Sequence, residues 1–292
     1  MKKIISLLLI FVLSLSINVF ADRKDDNFQK KYQQGCIFLE KKDYNKAYKY
    51  LNYVAEKDIN IDRICDAKIP LAAIFFDGLG VKQDYKKSYE CCNYVLNNSK
   101  KEDNILFAHK ILSIMYFYGY GVEQNYKKAY ESCCYIIEKN KNKEDICEAK
   151  ALLSYIYFYG LGIEKNYKKA YEYANFVVEN SDNKQIISIC RLVLGSFYFG
   201  GFGVVKPNFE EVFKNYNYVL ENTSDKDLIL PVKYILAISY YKGLGTETNY
   251  KKAKEYCEDI LKNKISDNLR EILNLNKVKS VLAEIYTIGW CR

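Results

Sequence analysis

"YGYGVEQNYKKAYE", residues 118–131, joins a glycine pair to a polar stretch with helical spacing. A Gly-x-Gly of this kind could cradle phosphate at a helix N-terminus, or it could be a turn that the fold needs for its own geometry. The rest of the chain decides. Glycine pairs recur at Gly78 and Gly80, Gly119 and Gly121, Gly160 and Gly162, Gly201 and Gly203, and Gly243 and Gly245, at intervals of 41, 41, 41 and 42 residues. After them come "DYKKSYE", "NYKKAYE", "NYKKAYE", "NFEEVFK" and "NYKKAKE", and a sixth copy, "DYNKAYK", begins at Asp43 with no glycine pair before it. Five similar loops do not build one cofactor site, and no cofactor is expected. A period in this range marks stacked supersecondary units. Glycine supplies the backbone angles that let two helices fold back on each other.

Each unit reads as two helices. "AKALLSYIYFYG", 149–160, places Ala151, Leu152, Tyr155, Ile156 and Tyr159 at the one-sided spacing of a buried helix. "NYKKAYEYANFVVE", 166–179, puts Asn166 at an N-cap and Ala170, Tyr173, Ala174, Val177 and Val178 on one face. Neither helix can bury its stripe alone, so stacked neighbours supply the core. The expected fold is all-α, an α-solenoid of helix-turn-helix repeats.

These residues resemble the Sel-one-like repeat family, a branch of the tetratricopeptide superfamily. The pattern is carried here by Leu112, Tyr116, Gly119, Gly121, Val122, Asn125, Lys128 and Ala129, with close copies in the other units. One solenoid domain is expected over 22–292. Its first repeat, about 27–57, looks more like an ordinary tetratricopeptide repeat with a tight turn; glycine-paired repeats fill about 63–264, and a capping helix closes the stack at about 270–289. Two departures stand out. The family's paired alanines late in the second helix are replaced by Val95-Leu96, Ile136-Ile137, Val177-Val178, Val219-Leu220 and Ile260-Leu261, and the links between units are longer.

The first 21 residues, "MKKIISLLLIFVLSLSINVFA", read as a signal peptide, with two lysines, a short apolar run and small residues before Asp22. An uncleaved anchor is the alternative, but Ser6, Ser14, Ser16 and Asn18 interrupt the run. The protein is expected to be exported, to a periplasm or the extracellular space, with no stable membrane insertion afterwards. Lys and Arg number 44 against 36 Asp and Glu, a net of +8. The excess is scattered through polar segments such as "NNSKKED" and "EKNKNKED", and only five residues are arginine, so nucleic acid is not an expected partner.

The resemblance extends to cysteine-rich exported bacterial proteins, some described as penicillin-binding or weakly β-lactamase-like. Serine β-lactamases bring Ser-x-x-Lys, Ser-Asp-Asn and Lys-Thr-Gly from separate elements. Here "SDNK" at Ser181–Lys184 satisfies two of these patterns with the same residues, "SDN" recurs at Ser266, and Lys-Thr-Gly does not occur. His109 is the single histidine and is placed at the start of a helix as a structural residue. The pairs Glu102-Asp103, Glu144-Asp145 and Glu210-Glu211 fall in links or first helical turns, where a carboxylate complements the helix dipole. Neither catalytic residues nor metal ligands are assigned.

Ten cysteines in an exported chain suggest disulfides. Cys134 and Cys147 are the first candidates, across a hairpin turning near Asn140; Cys92 and Cys133, on neighbouring helices, are the second. Cys92, Cys133 and Cys257 also share one position with Ala174 and Tyr216, which is core behaviour, so a mixture of bridges and buried thiols is expected. Of the 29 tyrosines, Tyr116, Tyr157, Tyr198 and Tyr240 hold the family's core position. One residue further runs a second ladder, Phe76, Phe117, Phe158, Phe199 and Tyr241, followed by Tyr118 and Tyr159. In tetratricopeptide-like stacks this ladder would line the concave groove, or it packs against neighbouring repeats. Two functions remain: a non-catalytic scaffold that binds a protein, a peptide or an envelope component on its concave face, and a hydrolase or binder of β-lactam or cell-wall-like substrates.

Overall fold

The computed structural model describes residues 26–263 and 273–290, and these hold thirteen α-helices and no strand. The first helices of the units are α1 (Asp26–Glu40), α3 (Ile61–Asp77), α5 (Glu102–Tyr118), α7 (Lys143–Tyr159), α9 (Lys184–Gly200), α11 (Lys226–Lys242) and α13 (Leu275–Trp290). The second helices are α2 (Tyr44–Lys57), α4 (Tyr85–Asn98), α6 (Tyr126–Lys139), α8 (Tyr167–Asn180), α10 (Phe209–Asn222) and α12 (Tyr250–Lys262). The fold is an α-solenoid of helix-turn-helix repeats. The signal segment 1–21, Ser266 and Cys291 lie outside the described residues.

The chain divides into two compact units. The first runs to Ala149 and takes in Leu161–Ile163; the second holds Lys150–Gly160 and everything from Glu164. In the first, α1 to α6 pack in chain order and α3 also meets α1 and α5. In the second, α8 to α13 do the same, with α11 meeting α9 and α13. A boundary inside α7 suits this architecture, because a stacked repeat touches only its neighbours.

The second helices behave as their stripe dictates: α8 buries Ala170, Ala174 and Val177 and leaves Tyr173 and Val178 half-exposed. The first helices do not. Of the expected stripe, α7 buries Ala151, Leu152 and Ile156 and leaves Tyr155 and Tyr159 half-exposed; it also buries Leu153, Tyr157 and Phe158, and α9 buries eleven of its seventeen residues. A helix that is apolar all round is an interior helix. The interior first helices α3, α5, α7 and α9 each bury at least ten of their seventeen residues, so the one-sided reading does not hold for them. Of each bulky doublet, only the first member, such as Val95, Ile136 or Ile260, reaches the core; its neighbour stays half-buried.

The repeated turn has one hydrogen-bonding pattern. Asp43, Asp84, Asn125, Asn166, Asn208 and Asn249 cap the second helices, each accepting from the backbone N–H three residues on. Their own N–H groups donate to the carbonyls of Phe38, Phe75, Tyr116, Tyr157, Tyr198 and Tyr240, which pins each second helix to the end of the first. The polar segments read as linkers are mostly helix ends, and only three residues remain in each link from α2–α3 to α10–α11. In all five such links the first residue, Asp58, Ser99, Asn140, Ser181 or Thr223, accepts from the N–H of the third at 2.8–3.2 Å. Their polarity is hydrogen bonding that closes the turn as well as solvation.

One turn departs from the rest. The Cβ that an alanine at Gly121 would carry falls 2.6 Å from Tyr85 Cβ, whereas at Gly203 nothing lies within 4 Å. The extra residue of the 42-residue interval lets Phe202 take the place that glycine holds elsewhere. Its ring lies 5.0 Å from Tyr167 and 5.3 Å from Phe158, at a backbone φ of 44°.

Candidate functional site

The aromatic ladder divides. Phe76, Phe117 and Phe158 are buried at 3, 8 and 7% exposure, whereas Phe199 and Tyr241 are half-exposed. Each ladder ring meets the aromatic that opens the next helix: Phe76 on Tyr85 at 5.0 Å, Phe117 on Tyr126 at 5.5 Å, Phe158 on Tyr167 at 5.7 Å, Phe199 on Phe209 at 6.0 Å and Tyr241 on Tyr250 at 5.9 Å. Phe76, Phe117 and Phe158 are thus packing residues of their own repeat, and placing them on an open groove is corrected. The turn draws the two helices so close that the residue after the core aromatic points into their junction. Tyr118 and Tyr159 stay half-exposed, packed edge-on to Phe117 at 4.8 Å and Phe158 at 4.9 Å.

Beside the ladder is a feature that the sequence reading missed. The lysine of each "KA"-type pair stands over the core aromatic of its own repeat: Lys46 over Phe38 at 5.2 Å, Lys87 over Phe75 at 5.4 Å, Lys128 over Tyr116 at 5.2 Å, Lys169 over Tyr157 at 5.3 Å and Lys252 over Tyr240 at 4.9 Å. A pair like this contributes about 0.5–1 kcal/mol at an exposed site. The fifth unit has Glu211 there, which turns to Lys214 at 3.0 Å, and Tyr198 instead exchanges a hydroxyl contact with Tyr171 at 3.3 Å. The signal was available in the fixed spacing from core aromatic to second lysine.

His109 lies midway along α5, not at its start, because that helix begins at Glu102. Its Nδ1 is 3.3 Å from Ser132 Oγ, its ring stacks on Tyr135 at 4.2 Å, and Tyr135 donates to Glu102 at 2.9 Å. Burial holds the imidazole below its ordinary value, with Glu102 opposing. Of the first-turn carboxylates, Asp145 has a second role. Lys110, inside the apolar run "LFAHKILSIMYFYG", pairs with Asp145 and stands 3.6 Å from Glu148, and Asn140 donates to the other Asp145 oxygen at 2.8 Å. Burial pushes the Glu148 carboxyl up to about 7 against the pull of Lys110. A lone lysine in an apolar helix was the signal for this buried pair. In "SDNK", Ser181 and Asn183 are helix-capping residues, with Asn183 N–H donating to Ser181 Oγ at 3.0 Å and Asn183 accepting from Gln185.

No disulfide joins the described cysteines. Cys92, Cys133 and Cys257 sit at 0, 0 and 1% exposure in the shared core position, as expected for small apolar side chains. Burial pushes the thiols of Cys36, Cys65, Cys91 and Cys257 up to about 11 and raises those of Cys92 and Cys133 as well, so these sulfurs are protonated at neutral pH. Cys134 is half-buried on α6 and Cys147 buried on α7, on either side of the Asn140 turn. Among the described residues, no helix is long and apolar enough to cross a membrane.

With this geometry in place, known proteins can be compared. The Sel1 repeat profile matches residues 37–58, 70–93, 107–131, 147–175, 190–216 and 233–258, together more than half of the chain. No curated protein matches. A Sel1 repeat protein from Oxalobacter formigenes shares 21% identity over 89% of each chain, with a TM-score of 0.56. A protective antigen present in uropathogenic Escherichia coli strains, displaying an SLR fold, shares 17% identity with a TM-score of 0.57. The present chain is covered over 99% of its length in that second match and spans 65% of the antigen. At these identities the likeness is one of fold.

Proposed function

This chain belongs to the Sel1 repeat family, and from that premise we propose that it is an exported, non-catalytic scaffold that binds a protein or peptide partner along the faces of its first helices. What carries the reading is the repeated end of the first helix. There Phe199 and Tyr241, at matching positions of consecutive repeats within the second unit, are half-exposed aromatic side chains held beside hydrogen-bonded turns. Rigid rings at matching positions of consecutive repeats add contact area at low entropic cost, which suits an extended peptide or an amphipathic helix. The test compares capture of partners from an envelope fraction by the intact chain and by a Phe199→Ala, Tyr241→Ala double variant. Capture lost at unchanged melting temperature supports the reading; capture by both alike overturns it.

Export has its own check. The mature chain starts at Asp22, and intact-mass measurement finding Met1 retained overturns that start. In an oxidising compartment Cys134 and Cys147 form the first bridge, closing a loop for which about 3 kcal/mol is the ordinary entropic contribution. Non-reducing peptide mapping of protein taken from its native compartment reads this directly.

A further inference from the structure

Asp77 ends α3, immediately before the Gly78 turn. The first unit ends its first helix on an exposed acid, Glu40, and the later units carry Tyr118, Tyr159, Gly200 and Lys242 at the same position; Asp77 is the acid that is drawn inward there. The location is unfavourable for a carboxylate. The C-terminal end of a helix is the negative end of its dipole, the side chain is largely buried, and its Oδ2 is a buried atom with no hydrogen-bond partner. Burial pushes the carboxyl up to about 7, and no lysine or arginine among the described residues holds it down. An ionised carboxylate left in this way costs free energy until a cation or a proton meets it.

The surroundings are aromatic. Next to Asp77, the Phe76 ring stands edge-on to Tyr85 at 5.0 Å and to Tyr120 at 6.1 Å. Tyr85 and Tyr120 stack at 4.8 Å with planes 9° apart, and Tyr118 continues the stack on Tyr120 at 5.3 Å. The Asp77 charge reaches this stack: after burial, it is the influence that raises the Tyr85 phenol. Ring faces attract cations, most strongly those with an apolar stem and little hydration to lose. Asp77 is also shorter by a whole ring than the tyrosines at its position in the next two units.

From the orphaned Asp77 oxygen beside the Tyr85–Tyr120 stack we infer that this end of α3 is a binding site for an alkylammonium group, with the ammonium on the carboxylate and the stem along the rings. The chemistry is shared by a lysine side chain of a peptide and by a free small amine. The site does not depend on the scaffold reading above, because a small cation alone occupies it.

The test titrates the full chain with n-butylammonium chloride at pH 8 and low ionic strength, following Tyr85 ring resonances by NMR, with n-butanol as the uncharged control. A second arm uses a short peptide with one central lysine. Saturable butylammonium shifts that weaken at least tenfold in Asp77→Asn, and are absent with butanol, support the site. Tighter binding of the peptide than of the amine identifies a protein ligand, and the reverse a free amine. Equal butylammonium binding by wild type and Asp77→Asn, or no saturable shift in wild type, overturns the inference. Helical circular dichroism of Asp77→Asn verifies its fold, and Tyr85→Leu, which leaves the carboxylate in place, is expected to weaken butylammonium binding severalfold. Unchanged binding there overturns the role of the rings.

Discussion

At the scale of single residues, Gly121 and Gly203 separate two costs usually lumped together. Both have left-handed backbone angles, φ 69° and 73°, which an alanine adopts at a cost of about 1–2 kcal/mol. At Gly121 the new Cβ would also collide with the backbone and side chain of Tyr85, adding overpacking of about 1–3 kcal/mol. Urea unfolding should therefore find Gly121→Ala markedly less stable than Gly203→Ala. The ladder makes a parallel contrast. Phe117→Ala removes a buried ring and should cost about 3–5 kcal/mol, while Tyr241→Ala, at a half-exposed position, should cost far less. Equal losses in the two would mean that the Tyr241 end of the ladder is core as well.

Between elements, fit depends on compensation across a helix pair. Tyr216 occupies the shared small-residue position on α10 and is fully buried, its hydroxyl 3.1 Å from Ser196 Oγ. It fits because the facing residue on α9 is Gly195, where an added Cβ would fall 2.2 Å from the Tyr216 ring. Gly195→Ala alone should destabilise by about 1–3 kcal/mol through overpacking. In a Tyr216→Ala background the same change should cost little or stabilise, and a double-mutant cycle measures the coupling. The α5–α7 pairing adds a dependence on pH. Glu148 titrates near 7 in the folded chain, above an ordinary glutamate at about 4.3. Its protonated form is the one that folding favours, so its contribution is complete below the ordinary value and fades as pH rises through 7. Melting temperature should accordingly fall between pH 5 and 8, and Glu148→Gln should flatten that fall; an unchanged slope would exclude Glu148 as its source.

For the whole molecule, a stack of repeats predicts graded stability, since terminal helices lack a neighbour on one side. Hydrogen exchange should be fastest in α1 and α13 and slowest in the interior first helices α3 and α9; uniform protection would argue against nearest-neighbour stacking. The 41-residue recurrence, the glycine pairs and the capping Asn and Asp residues determined by themselves that the chain is a helical solenoid. Those signals are local: a positive φ, a side chain capping the helix it opens, and a spacing that repeats. The core role of Cys92, Cys133 and Cys257 was legible for the same reason. Tertiary structure alone decided that interior first helices such as α3 and α9 are buried on most of their surface, that Phe76, Phe117 and Phe158 close junctions instead of lining a groove, and that Lys110 meets Asp145 thirty-five residues away. It also decided that Asp77 Oδ2 is buried without a hydrogen-bond partner. Periodicity reports which residues share a face, but burial depends on how many neighbours enclose that face, and a charge's partner depends on which helix the turn brings against it.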